Sequence, residues 1–257
     1  MRRLIGLSLF AAMVFVIALV WTAPLSVVVD EAGLARRGIS FERAQGTIWS
    51  GDLLGVRIGN QPVGQVSLEL KPGAMLAGRL GYDMDVRGPA GQGRGDVAMP
   101  LGGGVTIRNM VADINLQAIE RLEPRLRQVP ATVSLTLPEL VTDRAMGCRR
   151  VDGRLRTDLL EKLGTSLNWA GPAMAGVISC DGDGRYQLAL ANVGGEDEIA
   201  LDAVASPQTA SYTAEARVRT TNRRVADTLL LLKFQRDGDQ FIYSRANGVV
   251  RSMGEAG

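Results

Sequence analysis

The residues able to do chemistry in this chain are few. Its two cysteines, Cys148 and Cys180, could serve as nucleophiles, bind a metal or join to each other. The chain has no histidine, so a metal site or a proton relay would have to be built without its commonest residue, and neither thiol has a histidine to lower its pKa. Asp83 and Asp85 stand two apart, the spacing that puts two carboxylates side by side on one strand, as in a glycosidase pair. Alternation explains them equally well as a solvated face. The stretch Cys180-Asp181-Gly182-Asp183-Gly184-Arg185 has a calcium-loop flavour, but Asn192 rather than Glu falls at the twelfth position counted from Asp181, and a hairpin accounts for the glycines. Leu101-Gly102-Gly103-Gly104 leads into strand-like Val105-Thr106-Ile107, not into a helix whose N-terminus could hold phosphate. Arg94-Gly95-Asp96 spells an adhesion tripeptide within what reads as a glycine-rich loop, and chance accounts for it. No catalytic residue, metal ligand or cofactor is therefore expected.

These residues need elements to position them, and composition bounds the elements. With 257 residues, 46% of them hydrophobic and 22% charged, the chain can bury one or two cores. A net charge of only +2, with basic residues scattered rather than grouped with aromatics, argues against nucleic-acid binding. After Met1-Arg2-Arg3, residues Leu4 to Trp21 run without a charge for the length of one membrane-spanning helix. A cleaved signal fits less well, because cleavage after Ala23 would put Trp21 where a small residue is needed. Arg2 and Arg3 favour a cytoplasmic N-terminus and translocation of the rest, despite Arg36, Arg37 and Arg43 on the far flank. On that side of the membrane an even cysteine pair reads as a structural disulfide, Cys148 to Cys180. Closing a loop of about thirty residues contributes roughly 3 to 4 kcal/mol; two buried free thiols are the alternative.

Beyond the apolar run, period two dominates. Val66, Leu68 and Leu70 oppose Gln65, Ser67 and Glu69; Tyr82, Met84 and Val86 oppose Asp83, Asp85 and Arg87. The pattern recurs at Val133 to Leu137, Tyr186 to Leu190, Ile199 to Ala203 and Tyr212 to Val218, with turn signals between, so neighbouring strands pair antiparallel. Helical spacing is confined to Leu116–Gln128, which Pro124 should break, to Arg223–Phe234, and to a single turn over Asp158–Leu163. The expected fold is mainly β: curved antiparallel sheet in a two-half arrangement with a few short helices, behind one N-terminal transmembrane helix. The segments are a cytoplasmic 1–3, an anchor 4–21, a membrane-proximal linker and first strand 22–45, and a β-rich domain 46–257 with halves 46–140 and 150–250. An alternating sheet leaves one apolar face to cover. A sandwich or the two helices could close it, or it could stay open as a groove for a lipid or for a partner's strand or helix.

Gly46-Thr47-Ile48-Trp49-Ser50-Gly51 reads as a short glycine-bracketed strand, with Trp49 and Thr47 on one face and Ile48 on the other. Trp49 then packs in the core or meets a partner. This stretch, the following LLGVRIG and LKPGAMLAGRLGYDM, the block LNWAGPAMAGVISCDGDGRYQLAL with Trp169, Gly171 and Pro172, and the closing LLLLKFQRDGDQFIYSRANGVV together resemble the type II secretion system protein N family. The resemblance covers most of the chain. It implies a single-pass inner-membrane protein with a periplasmic bulk, an accessory and non-enzymatic part of the machine that exports folded proteins across the outer membrane. Its partners would be other subunits of that system. The family is also distantly similar to large envelope proteins whose curved sheets carry phospholipid along an apolar groove. That likeness supplies the alternative, a periplasmic lipid-binding or lipid-transfer module using the sheet's apolar face, with no ligand-binding residue assigned. Gly46, Thr47, Trp49, Gly51, Trp169, Gly171 and Pro172 are the family-motif or packing positions.

Overall fold

A computed structural model describes residues 22–26 and 38–251, except 77, 101, 102, 121, 123, 168, 247 and 248. Leu4–Trp21, read above as an anchor, lies outside the described residues. No helix among those described is long and apolar enough to cross a membrane.

The chain is mainly β and forms one open antiparallel sheet. Its strands are Ile39–Ser40 (β1), Arg43–Gly46 (β2), Ser50–Ile58 (β3), Gln61–Leu70 (β4), Arg79–Gly88 (β5), Gly91–Pro100 (β6), Thr106–Asn115 (β7) and Thr132–Thr142 (β8). Cys148–Thr157 (β9), Ala173–Cys180 (β10), Tyr186–Val193 (β11), Glu198–Ser206 (β12), Ser211–Arg219 (β13), Gln235–Asp237 (β14), Gln240–Ala246 (β15) and Val249–Arg251 (β16) follow. From β3 to β13 each strand pairs with the next in sequence. β1 and β2 both pair with β3, and β14 and β16 both pair with β15. β8 pairs directly with β9 across the expected junction near residue 145. Four short helices, Pro72–Leu76 (α1), Pro124–Arg127 (α2), Leu159–Leu167 (α3) and Arg223–Leu231 (α4), complete the described fold with a 3-10 turn at Leu116–Ala118.

Alternation is kept in register across the whole sheet. One row of directly opposed residues runs Leu53, Val66, Val86, Gly93, Ala112, Leu135, Leu155, Gly176, Leu190, Leu201, Ala216, Tyr243, apolar or glycine throughout. The neighbouring row points the other way and begins Asp52, Ser67, Asp85, Arg94. On β3 to β7, β9, β12 and β13 a slip of one residue would turn charges inward, which fixes the register there. Where a residue is inserted, the ladder absorbs it locally. Pro138, which cannot donate to a ladder, sits within a register shift of β8, and Asn109, at φ +51°, within one of β7.

The apolar face is covered unevenly. At one end Leu25, Leu53 and Val56 pack together with Phe41 and Val66. At the other, α3 and α4 lie over the sheet, and Met174, Leu190, Ile199, Val218, Val225, Leu229 and Phe241 form the larger cluster. Between them Met84, Val86 and Leu135 stay half-buried. Among the described residues no large side chain falls below 2% exposure, as befits one sheet with partial cover rather than two stacked layers.

Four sequence expectations change. Gly46–Gly51 is not a strand but the turn joining β2 to β3: Gly46 takes φ +89° and pairs with Gly51, and Thr47 N donates to Ser50 O at 2.9 Å. Arg94-Gly95-Asp96 lies in β6, not in a loop. Leu116–Gln128 gives only the 3-10 turn and α2, because Pro124 cannot continue a helix and here begins a new one. Conversely, α3 extends to Leu167, well past the single turn expected.

Candidate interaction surface

The segment just after the apolar run is part of the sheet's packing. Ile48 N donates to Ala23 O at 3.1 Å, Pro24 forms a β-bridge with Thr47, and Leu25 is buried at 3% exposure against Leu53 and Val56. The β2–β3 turn thus receives Ala23–Leu25, and Gly51 leaves the room: a Cβ there would lie 2.5 Å from Gln45 O and 2.8 Å from Leu25 Cδ2. Trp49 is half-buried and belongs to neither packed cluster; its backbone N–H is received by Thr47 Oγ1 at 3.3 Å. Gly46, Thr47, Trp49 and Gly51 therefore gather at one hairpin.

The second motif gathers elsewhere, with six strands, β4 to β9, between the two. After α3 the chain folds back on it, Trp169 N donating to Gly164 O at 2.9 Å. Gly171 crosses so near the helix that a Cβ would fall 2.0 Å from Leu160 O, so only glycine fits. Pro172 is buried behind it. The indole of Trp169 packs against the larger cluster while its Nε1 donates to Asp197 Oδ2 at 2.7 Å, giving a buried carboxylate a partner.

Cys148 and Cys180 form the disulfide, Cα to Cα 5.5 Å, across the ends of β9 and β10. The hairpin that follows is organised by Asp181. Its Oδ1 accepts from the backbone N–H groups of Asp183 and Arg185 at 2.9 and 2.8 Å, and its Oδ2 accepts from Arg185 Nε. Those bonds, led by the backbone bond from Arg185, hold its carboxyl below the usual range. Its oxygens organise a turn.

On the polar face Glu69, Asp83 and Asp96 stand directly opposite one another on β4, β5 and β6. Lys71 answers this repulsion: its Nζ lies 2.7 Å from Asp83 Oδ1 and pairs with Asp96 as well, while Asn109 Nδ2 donates to Asp96 Oδ2 at 3.1 Å. The hydrogen bond from Lys71 is the main reason that the Asp96 carboxyl is held at about 2. Asp85 is paired with Arg87 at 2.7 Å. The two carboxylates with a glycosidase spacing are thus each engaged by a cation. Among the described residues, no three of the His, Cys, Asp and Glu side chains gather to hold a metal.

Two further features lie at the helical end of the sheet. Beneath α3 and α4 lies a cavity of about 270 Å³ with a hydrocarbon wall, lined by residues from both helices, from β9 to β13 and by Trp169. At the C-terminal end of α4, Leu230, Leu231 and the cap residue Leu232 are 51%, 84% and 45% exposed, although Leu229 beside them is buried. A leucine run on one helix gives the second feature away; the first depends on packing between segments far apart in the chain.

A family model described as type II secretion system (T2SS), protein N, matches residues 37–239. No curated protein and no solved structure matches the chain.

Proposed function

Because the chain belongs to the type II secretion system protein N family and is a component of that secretion apparatus, we propose that it serves there as an accessory scaffold. In this reading Leu4–Trp21 anchors it in the inner membrane with its N-terminus in the cytoplasm. The sheet stands in the periplasm and offers surfaces to other secretion subunits. The observation that carries the reading is the span of the family match, which runs from just before β1 to the turn between β14 and β15, so that the family's domain is the sheet itself. The exposed leucines of α4 supply an apolar contact of the kind that protein partners cover. We assign no catalysis to it.

The test is crosslinking in cells that express the whole secretion system, followed by pull-down under denaturing conditions. Recovery of secretion subunits is expected; recovery of none ends the scaffold reading. Protease added to spheroplasts should digest the sheet and spare the first residues, and full protection would overturn the orientation.

A second reading, lipid handling along the apolar face, is favoured by the unbroken apolar row and the half-buried Met84, Val86 and Leu135 at its middle. Phospholipid carried along in stoichiometric amounts through gentle extraction would support it, and lipid-free protein would end it.

A further inference from the structure

We propose that the cavity beneath α3 and α4 binds one hydrocarbon chain, that of a fatty acid or a single acyl chain of a phospholipid. This goes beyond the scaffold reading and does not rest on it, nor on lipid lying along the open sheet face.

The cavity holds about 270 Å³ and is in part open to solvent. Its wall is hydrocarbon throughout, formed on the sheet side by Leu190, Leu201 and Ala216 and on the helix side by Leu160 and Leu229. Water gains nothing there, because it needs two or more polar partners. A peptide segment is excluded on the same ground: its backbone N–H and C=O groups would enter without partners. An unbranched hydrocarbon meets every condition, since it brings apolar surface and no donor or acceptor.

An amphiphile also needs a rim where its head can stay wet. Leu232 both lines the cavity and is 45% exposed, so the wall reaches solvent at the end of α4. Leu230 and Leu231 extend the apolar surface outward from that point, and exposed Lys233 follows in the chain. That order, hydrocarbon then cation, suits a chain with an anionic head.

The experiment uses the full chain, gently extracted and transferred to amphipol, with Trp21→Phe and Trp49→Phe so that Trp169 is the one emitter. Trp169 lines the cavity, so 9,10-dibromostearate should quench it saturably with one site per chain. Ala216→Phe and Thr228→Phe, which fill the cavity from the sheet and from the helix, should each weaken binding at least tenfold. Val177→Phe, on the opposite face, should leave it unchanged. Vesicles of phosphatidylglycerol with brominated chains separate the sources: quenching by the free acid alone assigns a fatty acid, by vesicles alone a phospholipid, by both an acyl chain from either. Absence of saturable quenching by both probes overturns the proposal, as does unchanged affinity in the filling variants. If neither filling variant folds, the quenching of Trp169 in the parent decides. Failure to capture secretion subunits leaves this result untouched.

Discussion

Leu25 Cδ2 occupies the place where a side chain on Gly51 would begin, 2.8 Å from a Cβ built there. The residue that follows the apolar run so closely is thereby fixed to the first long strand of the sheet. Gly51→Ala should destabilise the chain by about 2 kcal/mol, since the new methyl meets Gln45 O as well as Leu25. Leu25→Ala should remove about 2 to 3 kcal/mol through lost packing. The double variant should fall short of the sum, because losing Leu25 relieves one of the two clashes. Urea unfolding of all three measures the coupling; strict additivity would mean that the contact carries no energy.

Reduction of Cys148–Cys180, or Cys148→Ser with Cys180→Ser, should lower stability by about 2 to 4 kcal/mol. Cys148 is buried at 4% exposure, so the folded protein should resist mild reductant and yield only when partly unfolded. Alkylation of the native protein without reductant should label neither cysteine; label on both would refute the bond.

The Asp96 carboxyl, held at about 2 chiefly by its hydrogen bond from Lys71, lies below its unfolded value. Its contribution is therefore fully present above about pH 4 and is lost as pH falls toward 2. Its side chain is 29% exposed, so solvent screening limits the effect to about 1 kcal/mol. Asp96→Asn should flatten the acid limb of stability against pH in that window and leave the neutral region nearly parallel to the parent. An unchanged acid limb would show that the pair contributes nothing.

Lys233 terminates α4 in the left-handed region, φ +68°, where its N–H donates to Leu230 O and that of Phe234 to Leu229 O. Glycine is the usual residue at such a helix end. Lys233→Gly should stabilise the chain by about 0.5 to 1 kcal/mol, the relief of a side chain forced to positive φ less the added freedom of the unfolded state. A thermal melt showing loss of stability would indicate that the Lys233 side chain makes contacts that outweigh the strain.

How much of this was legible follows from where alternation survives. β4, β5, β8, β11, β12 and β13 announce themselves because their inward positions carry Val, Leu, Ile, Met, Tyr or Ala, mostly against polar or charged neighbours. β6 hides, since Gly91 and Gly93 hold apolar-face positions and Gly95 continues the series. A Cβ on Gly95 would lie 2.9 Å from Met110 Cα, too near for a side chain, and one on Gly93 would press Ala112 Cβ at 3.0 Å. β9 is interrupted in the same way at Gly153, which Leu137 and Ile178 crowd. Gly46–Gly51 reads as a strand because Thr47, Ile48 and Trp49 are all strand formers, and although a glycine at 46 permits the positive φ that overrides them, it does not require it.

Of the site, the disulfide could be read directly; the two glycine–tryptophan motifs stand out as residues, but their partners, Ala23–Leu25 for the first and Asp197 for the second, lie more than twenty positions away in the chain. What could not be read is depth. The cavity arises because α3 and α4 lie over the same stretch of sheet, and no local pattern states how closely two helices will settle.

The pairing of each strand from β3 to β13 with its immediate successor bears on how the molecule is made. Such a ladder can be laid down in the order of synthesis, each new strand closing a short loop onto the one before and none waiting for a distant segment. During assembly the growing margin is always the newest strand, and it would recruit any other extended chain that reached it. Only at the two ends is the order broken, where β1 and β2 both take β3 and β14 and β16 take the two halves of β15, so that at each margin two short strands share one partner.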